Sequence, residues 1–329
     1  MMRIVFLVLV SVWSLHAFSL FGWFEKERPK ETVSLVLGSG GARGYAHIGV
    51  IEELEAQGYK IRSIAGSSMG ALVGGLYAAG KLEEYKAWVL TLSISDMMGM
   101  VSLATQAGGV INIDRVFEKI HALIGDVRIE ELPIKFTAVA TDITNQREVY
   151  FTTGPLIDAI RASAAIPMVF LPVKKGKNLL VDGGVLNPLP LSVVSGDKND
   201  YIIAVDVGAN VPNPYHITVP PSLQQQQRGI YDALFSFFKG KKKDEEPEEI
   251  GVMTIVRKTL DTAQYHLVQR LLKEQHYDVL MEISKTTCDF YEFHRAYEII
   301  ETGRLTARES LKALTPPAMR QQEQNQTVP

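Results

Sequence analysis

The stretch VSLVLGSGGARGYAHIGVIEELEAQGYKIRSIAGSSMGALVGGLYAAG, from Val33 to Gly80, decides the fold. Val33 to Leu37 is a short apolar run followed by a glycine-rich turn, Gly38 to Gly44, the pattern of a buried parallel strand. A helical pattern runs from Tyr45 to Gln57 and stops at Gly58. Ile61 to Ala65 reads as a second strand, Gly66 to Gly70 as a second turn, and Ala71 to Ala79 as a helix of small residues stopped by Gly80. Strand, turn and helix therefore occur twice in succession. That order predicts an α/β fold with a mainly parallel central sheet flanked by helices.

Outward from this stretch the alternation continues. Helices are expected at Leu82–Leu92, Ile113–Leu123, Pro155–Ala164, Met253–Lys273 and Asp289–Thr302. Strands are expected at Phe136–Thr141, Glu148–Phe151, Leu179–Val181, Tyr201–Val207 and Asp278–Ile283. Ile94 to Val110 is irregular and rich in Met and Gly. Pro212 to Glu249 carries prolines, the run Gln224–Gln227 and a charge block from Lys239, and reads as an excursion from the sheet. The predicted organisation is one domain, 33–314, with a surface insertion near 212–250 and a polar, disordered tail at 315–329.

Ahead of that domain, Arg3 and the apolar run Ile4–Leu15 precede small residues at Ala17 and Ser19, the form of a signal peptide over 1–19. An uncleaved N-terminal anchor is the competing reading, since apolar character persists to Phe24. Residues 20–32 read as a leader, and the expected location is exported, periplasmic or secreted. The 329 residues are 46% apolar and 22% charged, enough for a sizeable core. A net charge of −3 gives no reason to expect nucleic-acid binding. The single cysteine, Cys288, excludes an internal disulfide framework and a cysteine-based zinc cage.

Chemistry concentrates at three turns. Gly66-Ser67-Ser68-Met69-Gly70 is a G-x-S-x-G sequence between a strand and a helix, which points to Ser68 as a nucleophile. Glycines at Gly66 and Gly70 leave room for a sharp elbow, and the following helix N-terminus favours developing negative charge. The loop Gly38–Gly44 suits a dinucleotide, a phosphate or an acyl oxyanion. A dinucleotide site needs an acid closing the second strand, where this chain has Ile64-Ala65-Gly66; a Walker loop needs Gly-Lys-Ser/Thr, which is absent. The oxyanion reading survives, because loop and elbow follow successive parallel strands. His47, His121, His216, His266, His276 and His294 lie in helical or charged stretches and read as structural or surface residues. The third signal is Val181-Asp182-Gly183-Gly184, an acid closing a short strand on a glycine turn: alone it is a plain turn, and beside the other two motifs Asp182 is the candidate acid partner.

In this order, the glycine loop with Arg43, the serine elbow, the segment Ala162-Ser163-Ala164-Ala165-Ile166-Pro167 and the Asp-Gly-Gly turn resemble the patatin-like phospholipase family over Val33 to Val207. The last helix, near Phe290–Gly303, resembles bacterial members related to the neuropathy-target-esterase catalytic domain. The resemblance implies a three-layer patatin-like fold and a Ser–Asp dyad of Ser68 and Asp182. It places the oxyanion on the amides of Gly40 and Gly41, with Gly38, Arg43, Gly44, Gly66, Gly70 and Gly183 supporting the loop and turns. It implies neither metal nor organic cofactor. Plant storage members carry Asp-Gly where this chain has Gly38-Ser39.

The expected activity is a serine-dependent lipid acyl hydrolase, phospholipase A or lysophospholipase, acting through an acyl-enzyme on a phospholipid or other acyl ester. A small-ester carboxylesterase or thioesterase, and a non-hydrolytic lipid-binding regulator, are the alternatives. Met97, Met98, Met100, Val101 and Leu103 form either an acyl-binding lip or plain core. Ile230 to Phe238, followed by Lys239 and Lys241–Lys243, form either a peripheral membrane contact or a helix docked on the chain's own domain. Oligomeric state is not legible.

Overall fold

Strand β1 (Thr32–Leu37) runs through the middle of the sheet, and its alternation explains the layers. Val33, Leu35 and Leu37 join the larger apolar core, whereas Val36 joins a smaller one on the opposite face. Successive strand residues point to opposite sides, so an almost continuous apolar run serves both faces. The computed structural model describes residues 31–92, 102–103, 111–112, 114–167, 169–194, 200–221, 223 and 252–314. The expectations for the signal or anchor, for most of the leader, for Met97, Met98, Met100 and Val101, for the aromatic and lysine run after Ile230, and for the tail lie outside these residues.

The further strands are β2 (Lys60–Ser67), the two-residue β3 (Ser102–Leu103) and β4 (Ile111–Asn112), β5 (Lys135–Asp142), β6 (Arg147–Phe151), β7 (Val173–Lys175), β8 (Asn178–Asp182), β9 (Asp200–Ala209) and β10 (Val279–Ser284). The main sheet has the order β10-β9-β1-β2-β5-β8-β7, with β6 also paired to β5. From β10 to β5 all neighbours are parallel; β6, β8 and β7 enter antiparallel. The helices are α1 (Ala46–Ala56), α2 (Met69–Ala78), α3 (Leu82–Thr91), α4 (Asp114–Ile124), α5 (Leu156–Ser163), α6 (Val252–Glu274) and α7 (Ala296–Ser310). Residues of α1, α2, α5 and α7 fill the larger core with Ile64, Phe136 and Val205. On the other face Val268, Leu271 and Leu272 of α6 pack with Leu189, Leu191 and Ala204. The result is the three-layer α/β arrangement expected, with a mixed rather than wholly parallel sheet.

One detail of register positions the site. On one edge of β5, Val139 pairs with Ser67 of β2, and the next residue, Ala140, pairs with Asp182 of β8. The other edge of both residues is taken by β6, at Tyr150 and Val149. Strands β2 and β8 therefore share a single lane beside β5 and meet end to end.

The last helix departs from expectation. It spans Ala296–Ser310 instead of Asp289–Thr302. Residues 289–292 are not helical and Phe293–Arg295 make only a short 3-10 helix, because the Phe290 carbonyl accepts the amide of Ala42 and the Phe290 ring packs on Gly41. Gly303 does not end the helix: it lies against the backbone of Ala46, where α7 crosses α1. Strand β7, unanticipated, pairs with β8 across a turn that Gly176 makes with φ 63°.

Candidate active site

Where β2 stops, Gly66 lies against the backbone of Gly70 and Ala71, and Gly70 against that of Leu37 and Gly38, so neither has space for a Cβ. Between them Ser68 takes φ 56° and ψ −123°, a conformation other residues rarely adopt. The residue immediately precedes α2, and its carbonyl accepts the amides of Ala71 and Leu72. Its own amide donates to Ser163 Oγ at 2.9 Å, and Ser163 Oγ donates to the Val139 carbonyl at 2.6 Å. The elbow is thus tied to β5 through the end of α5.

At the head of the same lane Ser68 Oγ donates to Asp182 Oδ2 at 2.5 Å. Asp182 Oδ1 accepts the Gly184 amide at 2.7 Å, and the Asp182 amide donates to the carbonyl of Ala165 at 2.9 Å. The segment Ala162–Pro167 therefore holds both residues by the backbone, Ser68 through Ser163 and Asp182 through Ala165. No role for Ser163 was visible in the sequence, since its two partners are remote along the chain. Ser68 and Asp182 are 1% and 3% exposed. Burial pushes the Asp182 carboxyl up to about 7, although the bonds from Ser68 and Gly184 favour the charged form. Gly183 has no room for a Cβ between the Val139 carbonyl and Ser67 Oγ, so the turn after Asp182 must carry glycine.

The glycine loop lies at the end of β1, adjacent to the elbow. The amides of Gly38, Ser39 and Ala42 donate to the carbonyls of Val205, Pro188 and Phe290. No hydrogen bond among the described residues takes the amides of Gly40 and Gly41. Gly44 lies against the Met69 side chain, directly after the serine, which sets the loop beside the elbow. Arg43 reaches the carbonyls of Gly40 and Lys285, at 3.3 Å each, and so braces the loop. His47 Nε2 donates to the Gly38 carbonyl, 2.8 Å away, and burial lowers its pKa to about 4. It is a neutral strut under the loop, as its position inside the first helix suggested.

Among the described residues no histidine hydrogen-bonds Ser68 or Asp182. His121 pairs with Asp126 at the surface, His276 faces Asp278 and His266 lies on the ring of Tyr265. No group of three His, Cys, Asp or Glu among the described residues is placed to hold a metal ion. A cavity of about 670 Å³ opens over β2 and β5, but neither Ser68 nor Asp182 is in its walls. A serine held at a strained elbow before a helix, bonded to a buried carboxylate beside a loop with free amides, has the parts of a serine hydrolase.

The comparisons narrow this class. The profile of the Patatin-like phospholipase family matches residues 35–195. An NTE family protein of Mycobacterium tuberculosis is 35% identical over 329 residues, covering 85% of this chain and 91% of its own length. A second from the same organism is 28% identical over 89% of this chain and 48% of its own. The lysophospholipase NTE1 of Yarrowia lipolytica is 33% identical over 54% of this chain and 13% of its own. A solved structure, VipD from Legionella pneumophila, aligns over 87% of this chain and 67% of its own with a TM-score of 0.44 and 16% identity. The chain belongs to the NTE family of patatin-like phospholipases. It is a lipid ester hydrolase.

Proposed function

We propose that the chain is a phospholipase A or lysophospholipase working through a Ser–Asp dyad, with Ser68 as nucleophile and Asp182 as base. The observation that carries this reading is the bond from Ser68 Oγ to Asp182 Oδ2 in a buried setting. Asp182 takes the hydroxyl proton as Ser68 Oγ attacks the ester carbonyl. The tetrahedral oxyanion is held by the amides of Gly40 and Gly41 and by the N-terminal end of α2. Collapse of this intermediate expels the alcohol, which leaves with the proton from Asp182. Water, deprotonated in turn by Asp182, then attacks the acyl-serine, and the fatty acid departs as Ser68 recovers its proton. A carboxylate held near pKa 7 suits both directions of transfer at neutral pH. Export remains part of the proposal, supported by Arg3, the apolar run Ile4–Leu15 and the small residues at Ala17 and Ser19.

The test is hydrolysis of a phosphatidylcholine, a lysophosphatidylcholine and a short-chain p-nitrophenyl ester by wild type, Ser68→Ala and Asp182→Asn. Both variants should fold and lose at least about a thousand-fold in kcat. Retained lipid hydrolysis in Ser68→Ala would overturn the nucleophile. Comparable loss in a folded variant of His121, His216, His266, His276 or His294 would replace the dyad with a triad.

A further inference from the structure

Helix α6 covers the second face of the sheet and reaches the site, and its rotation is fixed by packing. Val268, Leu271 and Leu272 lie on the stripe that faces Val36, Leu189 and Ala204. Gln264 is one turn before Val268 on that same stripe, so the buried row ends in a carboxamide where the strands give way to loops. There it meets the site. A Cβ built on Gly184 would lie 2.7 Å from Gln264 Nε2 and 2.6 Å from Ser39 Oγ. Gly184 is the residue whose amide holds Asp182, and Ser39 directly precedes Gly40 in the loop. Both side chains are half-buried, and neither makes a hydrogen bond among the described residues. Two unengaged polar groups from distant parts of the chain therefore converge on the turn that carries the base.

We propose that Ser39 and Gln264 form an uncharged clamp that binds a free hydroxyl on the alcohol part of the substrate, next to the ester that Ser68 cleaves. This rests on the assignment of Ser68 as nucleophile. A hydroxyl and a carboxamide both donate and accept, which matches an alcohol that does the same. A phosphate would be met by Arg or Lys, and the guanidinium of Arg43 is directed at the carbonyls of Gly40 and Lys285. The clamp thus selects an acyl ester whose neighbouring carbon carries a hydroxyl over one where it is acylated or absent.

The experiment compares two substrates differing by one hydroxyl: a 1-monoacylglycerol and the mono-ester of 1,3-propanediol with the same acyl chain. Wild type should favour the glycerol ester by about tenfold in kcat/KM, the worth of one good neutral hydrogen bond. Ser39→Gly and Gln264→Leu should each bring the ratio close to one. Arg270→Ala, on the solvent face of the same helix, should leave it unchanged. A wild-type ratio of one, or a ratio that survives both variants, overturns the clamp while Ser68-dependent hydrolysis stands. Hydrolysis of neither ester by folded wild type, with no labelling of Ser68 by a fluorophosphonate, overturns the nucleophile and the clamp with it.

Discussion

Asp182 sits at 3% exposure with one oxygen on Ser68 and the other on the Gly184 amide. Burial nevertheless dominates and raises its pKa from 3.8 to about 7. Two pH effects follow. As a base the group must be ionised, so kcat/KM should climb along an acid limb with a midpoint near 7 and level off above it. Stability has the opposite slope. A folded-state pKa above the unfolded one means that the native chain binds the proton more tightly. This contribution is complete below about 4 and is lost as pH rises to about 7, by at most about 1.4 kcal/mol per pH unit. Asp182→Asn, neutral throughout, should therefore gain Tm relative to wild type at pH 8 and gain little at pH 4. Equal differences at both pH values, measured by calorimetry, would show that the carboxylate is not held out of water. At this scale much was legible in the sequence: the serine between its glycines and the acid before its Gly-Gly stand in contact. The raised pKa was not, because it depends on what surrounds the carboxyl in space.

Elements were legible where hydrophobic period and glycine stops agreed, as for β1, α1, β2 and α2. They were less so where a segment's backbone is used by a distant part of the chain. Phe290 is one case, spent on the amide of Ala42 rather than on a helix. Ser163 and Ala165 are another, since the strand ends they clip are invisible from their own neighbours. Gly303 belongs here too. The helix expected to end at Thr302 continues through it, and α1 comes close enough for Gly303 to face Ala46 O, and for Gly49 to face Ile300 O. The glycines are reciprocal, one from each helix. Ion pairs of Arg304 with Glu52 and Arg308 with Glu53 fasten the same crossing. Gly303→Ala should gain about 1 kcal/mol in helix propensity. The new methyl would fall on backbone atoms that have no rotamer to change, and overpacking of this kind costs about 1–3 kcal/mol or more. The net should be destabilisation, read as a lower urea midpoint with an unchanged m-value. A midpoint equal to or above wild type would mean that the two helices separate freely.

At the scale of the whole molecule, the site depends on chain that lies far beyond it in sequence. The family profile ends at residue 195, after the loop, the elbow and the Asp-Gly-Gly turn have all been passed. The sheet does not end there. Strand β9 pairs along the full length of β1 and itself carries β10, so β1 is a central strand only because residues 200–209 lie beside it. Val205 of β9 accepts the Gly38 amide that starts the glycine loop, and Val207 lies against Gly40. This neighbour relation was illegible: apolar alternation marks Tyr201–Val207 as a strand without saying which strand it joins. A chain truncated after Val194 would keep the three catalytic turns. It would expose an edge of β1 and the apolar faces that β9, α6 and α7 cover, at about 25 cal/mol per Å² of apolar surface. That chain should show no cooperative thermal transition and no fluorophosphonate labelling of Ser68, whereas a chain ending at Leu314 should show both. Labelling of the shorter chain at the full-length rate would mean that the elbow and loop assemble without β9. The support drawn here from Val205 and Val207 would then be incidental to the site.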